Sequence, residues 1–222
     1  MSLISRPLTK NMKVVDTGEK LSRAQARALR AAGIDAVFRY VFYGEPRAED
    51  LDNKELIDCT SEDLIVCVVQ HPRLPENNIL SVETGKSDAQ WAMTNALAAG
   101  YDPAVVAGPP LSLSSDMEGV RNPGPNSAAH GMTWVNLVAL GVGGNPFGPV
   151  TYLGYLCGLS GGDCDAMLPE VAFWCDAGPY DLRPKISRGY ALKQEDAGVI
   201  AGVKIDYNTV LKDNAIFGAA AA

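Results

Sequence analysis

Short apolar runs of strand length alternate five times with stretches of helical spacing, and after about residue 168 the helices fade. Val14-Val15-Asp16 reads as a buried strand. Ser22 follows as an N-cap signal and Arg23 to Ala32 as a helix, with Ala24, Ala28, Leu29 and Ala32 recurring near helical spacing and Gly33 as its stop. Ala36 to Tyr40 is the second strand, and Asn53 is expected to cap a helix reaching about Asp58. Leu64 to Val69 is continuously apolar, as suits a parallel strand covered on both faces. A helix over Ser87 to Ala99, a strand over Leu111 to Met117, a loop marked by Pro123 and Pro125, and a helix over Ala128 to Leu140 come next. Val150 to Leu153 is the fifth strand and Asp165 to Leu168 a brief helix. Three strand-like runs then follow with short links: Val171 to Trp174, Gly189 to Leu192 and Val203 to Tyr207.

Eight strands in this order predict an α/β chain folded as a single TIM-like (β/α)8 barrel, with weak or missing helices after strand five. An open doubly wound sheet is the alternative, but strand one runs into Asp16-Thr17-Gly18-Glu19, with no GxGxxG and no Walker A loop. The 222 residues fit one domain, 1–222, with 1–12 as an N-terminal extension and 215–222 as a flexible tail.

Composition narrows the function classes. The net charge is -7 and Lys and Arg are scattered, so no basic stripe points to a nucleic-acid partner. No window approaches the roughly 18 apolar residues of a membrane span. Met1 to Met12 has no apolar core of a secretory signal, so synthesis as a cytoplasmic chain is expected, with export or release by another route. Five cysteines without a CxxC pair read as buried thiols, and two histidines without HExxH give no zinc signature. No metal or organic cofactor is expected.

In a barrel of this kind chemistry sits at the C-terminal ends of strands. Those ends carry Asp16, then Arg39 and Tyr40, Gln70 and His71, Asp116 and Glu118, Tyr152 and Tyr155, Trp174 and Asp176, Gln194 and Glu195, and Asp206 and Asn208. Several acids converging on one mouth raise each other's pKa, a cost tolerated mainly where it is used. Asp116-Met117-Glu118 is the sharpest feature. Residues two apart on a strand share a face, which puts these carboxyls about 7 Å apart at the backbone. A protonated acid for the leaving oxygen and a second group to manage the anomeric carbon are what glycoside hydrolysis needs. Glu118 and Asp116 are therefore the catalytic candidates. Asp16, Asp206, Asn208, Arg39, Tyr40, His71, Tyr152, Trp174 and Gln194 are the substrate-binding candidates. Trp91 and Trp134 fall on helices and read as core, and His130 as an exposed residue opening a helix.

These residues resemble a known group. Val15-Asp16-Thr17, Leu21-Ser22 with a helix ending Ala32-Gly33, and Val37-Phe38-Arg39-Tyr40 look like the DUF1906 family of glycoside hydrolase-like domains, and Lys54 and Glu55 resemble its second helix. Asp116-Met117-Glu118 resembles the DxE of the related GH25 lysozymes, Asp206-Tyr207-Asn208 their final D-x-N strand, and Asp16 their first-strand Asp. The resemblance spans Val14 to Asn208. It implies an eight-strand barrel with weak late helices and a muramidase-like cleft. By that analogy Glu118 is the general acid, and Asp116 steadies a substrate acetamido group that itself attacks the anomeric carbon. Asp16 and Asp206 would bind substrate and tune both acids. Two places depart from the GH25 pattern. Trp174, Ala177 and Tyr180 only approximate its Trp-x-Ala-x-Tyr, and Lys193-Gln194-Glu195 stands where Trp-Gln-Tyr is usual. The expected activity is cleavage of bacterial cell-wall glycan, with peptidoglycan as the partner. A non-catalytic glycan-binding barrel, and a structural or delivered part of a larger assembly such as a phage or secretion particle, are the rival readings.

Overall fold

The computed structural model describes residues 2–73, 79–120, 124–176 and 184–222. Pro123, Ala177 and Tyr180 lie outside them.

Ten strands and five helices follow one another in the described residues. The barrel proper consists of β2 (Lys13–Thr17), β3 (Ala36–Val41), β4 (Ile65–Gln70), β5 (Ser112–Asp116), β6 (Gly148–Leu153), β7 (Ala172–Cys175), β8 (Leu192–Ile200) and β9 (Val203–Val210). Neighbours pair in the ring order β2-β3-β4-β5-β6-β7-β8-β9, and β9 pairs back to β2, so the sheet closes with eight strands. Seven strands run parallel. β9 is antiparallel to both its neighbours, forming a hairpin with β8 through Ala201 and Gly202, both at positive φ (52° and 79°). Two successive left-handed residues match the twist of a tight hairpin. The expected strand at 189–192 therefore starts later, at Leu192, and is more than twice as long.

Helices α1 (Arg23–Ala31), α2 (Asn53–Thr60), α3 (Val82–Ala98) and α4 (Pro125–Leu140) follow β2 to β5, and α5 (Gly161–Asp165) is a single turn after β6. Ser22 caps α1 in a reciprocal box with Gln25. Asp52, not Asn53, caps α2 by accepting from Glu55 N at 2.8 Å. α3 begins five residues before the expected Ser87, because Ser81 and Thr84 form its capping box. In α3 a Cβ on Gly85 would meet His130 O at 2.5 Å, so glycine lets α3 and α4 close together.

Alternation along each strand separates two cores. Phe38, Cys67, Val150, Trp174 and Leu192 fill the barrel interior, while Val37, Val66, Val68, Leu113 and Phe173 face the outer layer. All are essentially buried, and every β4 residue is covered.

The chain ends overturn the expected extension and flexible tail. β1 (Leu3–Pro7) pairs antiparallel along its whole length with β10 (Phe217–Ala221). Ala219 of β10 also pairs with Val66 of β4, on the half of β4 below its contact with β5. Phe217 N donates to Ser112 Oγ at 3.0 Å, and Tyr101 OH donates to the carbonyls of Ser112 and Phe217. Ala219 and Ala220 are buried, so residues expected to fray wedge into the β4–β5 seam.

All five cysteines are buried and free. Among the described residues no helix is long and apolar enough to cross a membrane.

Candidate active site

Strands β2 to β8 end at one mouth, and their inward positions meet there because residues two apart share a face. Asp16 follows Val14, Tyr40 follows Phe38, Asp116 follows Ser114, Tyr152 follows Val150 and Gln194 follows Leu192. A cavity of about 780 Å³ opens here, lined by Asp16, Tyr40, His71, Asp116, Glu118 and Asp206. Its remaining wall comes from Thr17 to Glu19 after β2 and from the β8–β9 hairpin.

Behind the acids stands a hydrogen-bonded support. Asn208 Nδ2 donates to Asp16 Oδ2 at 2.8 Å, and Tyr40 OH donates to Asp16 Oδ1 at 3.2 Å. Gln194 Nε2 reaches both Asp16 Oδ2 (3.3 Å) and Asp206 Oδ2 (3.4 Å). Gln194 is itself fixed by Tyr152 OH, which donates to its Oε1 at 2.7 Å. Asn208, Gln194 and Tyr152 thus hold the acids without lining the cavity.

Burial and mutual repulsion set the electrostatics. Burial lifts Asp16 to about 6, opposed by the Asn208 hydrogen bond and reinforced by Asp206. Asp116 is raised well above the usual carboxylate range by burial, then by Glu118 and Asp16. Glu118 is raised by burial and by Asp176 and Asp206, and Asp206 by burial. The cluster therefore gives up its protons at higher pH than isolated carboxyls do. The Asp116 Oδ1 atom is buried with no hydrogen-bond partner among the described residues. Gly154 crowds the other acid: a Cβ there would lie 2.7 Å from Glu118 Cβ and Oε2 and from the Tyr152 ring.

His71 stands at the rim. Its ring lies 4.6 Å from that of Tyr40, and its Nε2 lies 3.2 Å from Asp50 Oδ1. Burial lowers its pKa despite Asp50.

Two expected binding residues sit elsewhere. Arg39 falls between the inward Phe38 and Tyr40, so it faces out. It is fully buried, its Nε 2.5 Å from Glu55 Oε1, and it also donates to the carbonyls of Thr17 and Glu49. Trp174 does face inward but one layer below the mouth. It is buried between Phe38 and Tyr152, at ring distances of 4.7 and 4.6 Å. His130, expected to be exposed, is buried within α4 beside Thr84 and Asp88, and its pKa is pushed down to about 4 by burial. Trp134 is core, as its helical position implied, and donates to Gln70 Oε1.

The sequence reading did not anticipate the β8–β9 hairpin wall, Lys204 within it, or Gly154. A glycine two residues after Tyr152 was the available signal for the last. No group of three or more His, Cys, Asp or Glu among the described residues is placed to hold a metal ion.

No family model and no curated protein sequence matches the chain, so the DUF1906 resemblance rests on the residues quoted for it. Solved structures share its fold. The CTP1L endolysin superposes with a TM-score of 0.65 at 15% identity, covering 90% of this chain and 67% of its own. An uncharacterized B. stearothermophilus protein gives 0.64 at 14% identity, covering 90% of this chain and 96% of its own. A family 25 glycosyl hydrolase from Bacillus anthracis gives 0.56 at 14% identity, covering 91% and 90%. The chain shares its eight-strand barrel fold with these structures.

Proposed function

We propose that this chain is a glycoside hydrolase of the muramidase type, cleaving the glycan of bacterial peptidoglycan. The observation that carries the reading is the pair Asp116 and Glu118 at one cavity, both with raised pKa and with Asp116 Oδ1 left unpartnered among the described residues. Glu118 is half-exposed on the cavity wall and is the proton donor. Asp116 lies deeper and meets the polar hydrogen of an acetamido group.

In the first step Glu118 protonates the leaving glycosidic oxygen while the bond from that oxygen to the anomeric carbon breaks. The electron pair of that bond goes to the leaving oxygen. The substrate's own acetamido oxygen forms the new bond to the anomeric carbon, and the cationic ring that results draws the acetamido N–H onto Asp116. Water then attacks the anomeric carbon as its bond to the acetamido oxygen breaks; the electron pair of that bond returns to the acetamido group, and a proton from the water passes to Glu118. A cation next to the acids favours their ionised forms, so Asp116 is most readily ionised when the intermediate needs its negative charge. Asp16 and Asp206, held by Asn208 and Gln194, contact the sugar and keep the field around the acids negative.

Asp116→Asn tests this reading. Peptidoglycan turnover should fall at least about 100-fold with binding retained, in line with loss of a transition-state contact. An unchanged rate removes Asp116 from the mechanism. A second reading, a glycan-binding barrel without catalysis, is favoured by one feature: Lys193 and Glu195 stand where the GH25 pattern has two aromatics. Binding of peptidoglycan with no release of product by the wild type would establish it.

A further inference from the structure

Lys204 lies on β9 in the wall of the acidic cavity, opposite in charge to Asp16, Glu19, Asp116, Glu118 and Asp206 around it. Its backbone is tied on both sides. Thr17 Oγ1 donates to Lys204 O at 2.7 Å, and Lys204 N donates to Glu19 Oε2 at 3.4 Å. These bonds fix the strand across the β9–β2 pair and aim the residue's position at the cavity. Yet among the described residues no carboxylate lies within ion-pair distance of Lys204 Nζ, although acids line the same space. By contrast Lys193, one strand away, is bound to Glu195 at 2.8 Å.

Charge decides what such a cavity admits. A cluster of carboxyls repels an anionic ligand, and a neutral sugar gains only hydrogen bonds from an ammonium group on the wall, without the attraction between opposite charges. A ligand with a carboxylate gains from it if that carboxylate can meet the ammonium away from the acids. We propose that Lys204 is a specificity-determining residue that receives a substrate carboxylate, so that the cleft prefers glycan bearing lactyl or peptide carboxylates over a neutral glycan of the same backbone. This rests on the glycan reading above and adds to it the residue that discriminates charged from neutral glycan.

The test uses the full chain with uncrosslinked peptidoglycan strands carrying stem peptides, and with the neutral N-acetylglucosamine oligomer. Affinities are measured in the Glu118→Gln protein, with and without Lys204→Met or Lys204→Arg. Lys204 is exposed, so the variants should fold, and thermal melts check that they do. For Lys204→Met the ratio of the two dissociation constants should shift about 2- to 5-fold against the peptidoglycan strands, the upper range of one exposed charge contact. Lys204→Arg should restore most of it, and added salt should erode the preference in the parent but not in Lys204→Met. Strand binding by the parent with an unchanged ratio in Lys204→Met overturns the role of Lys204 and leaves the glycan reading standing. No binding of either glycan by the parent overturns both.

Discussion

Asn208 Nδ2 donates to Asp16 Oδ2 at 2.8 Å across the antiparallel β9–β2 pair, joining the last barrel strand to the first beneath the acidic mouth. The bond opposes, without cancelling, the burial that lifts Asp16 to about 6. A carboxyl raised in the folded state from 3.8 favours folding most below its unfolded value, and that contribution is lost as pH rises through about 6. Asp16→Asn removes the ionisation and keeps an oxygen for Asn208. It should stabilise the fold by about 2 to 3 kcal/mol at pH 8, since one pKa unit is worth roughly 1.4 kcal/mol. The gain should vanish below about pH 4. Urea unfolding at the two pH values checks this; an equal effect at both would contradict it.

Gly154 and Glu118 are in a similar dependence, set by space instead of charge. A methyl group at position 154 would overlap Glu118 and the Tyr152 ring. Gly154→Ala should therefore move the Glu118 carboxyl and cut glycan turnover by at least about 10-fold, with a stability loss of about 1 to 3 kcal/mol from overpacking. Steady-state kinetics beside thermal melts read both quantities. Full activity with an unchanged melting temperature would show that the cleft has slack there.

Arg39 and Glu55 form a buried pair behind β3, with Glu55 Oε1 also accepting from Leu21 N at 2.8 Å. Glu55→Ala should cost about 3 to 5 kcal/mol of stability, because it strands the Arg39 charge in the core. Denaturant unfolding measures it. A loss under about 1 kcal/mol would mean that Arg39 has another partner ready.

β10 closes the seam between β4 and β5, and a Cβ on Gly218 would meet Ile65 and the Val66 carbonyl within 2.6 Å. Gly218→Val should lower the melting temperature by at least about 2 °C, consistent with an overpacking cost of about 1 to 3 kcal/mol spread over a chain of this size. A frayed tail would tolerate the change without effect.

The mouth was legible in the sequence because two periodic rules place it. Parallel strands end at one face, and every second residue points in. Asp16, Tyr40, His71, Asp116 and Glu118 follow from those rules and line the cavity together, while Asp206 reaches it from the first half of the antiparallel β9. Arg39 was misplaced by neglecting the second rule, since it and Tyr40 are adjacent and cannot share a face. Trp174 was misplaced by depth: alternation gives the face of a residue but not its layer in the barrel. The antiparallel turn of β9 was hidden because Ala201-Gly202 lacks the Asn-Gly or Asp-Gly signal of a tight hairpin. The β1–β10 pair was hidden because its partners are more than 200 residues apart, and an alanine-rich end carries no strand propensity of its own.

The central claim is that Glu118 donates the proton that breaks a glycosidic bond. Reducing-end release from purified peptidoglycan, with wild type and Glu118→Gln side by side, tests it most directly. Glutamine keeps the size of the side chain and has no acidic proton to give. Release by the wild type, reduced at least about 1,000-fold in Glu118→Gln with the fold intact, is the predicted result. Equal release by both proteins would contradict the assignment of Glu118, and no release by a folded wild type would contradict the hydrolase reading itself.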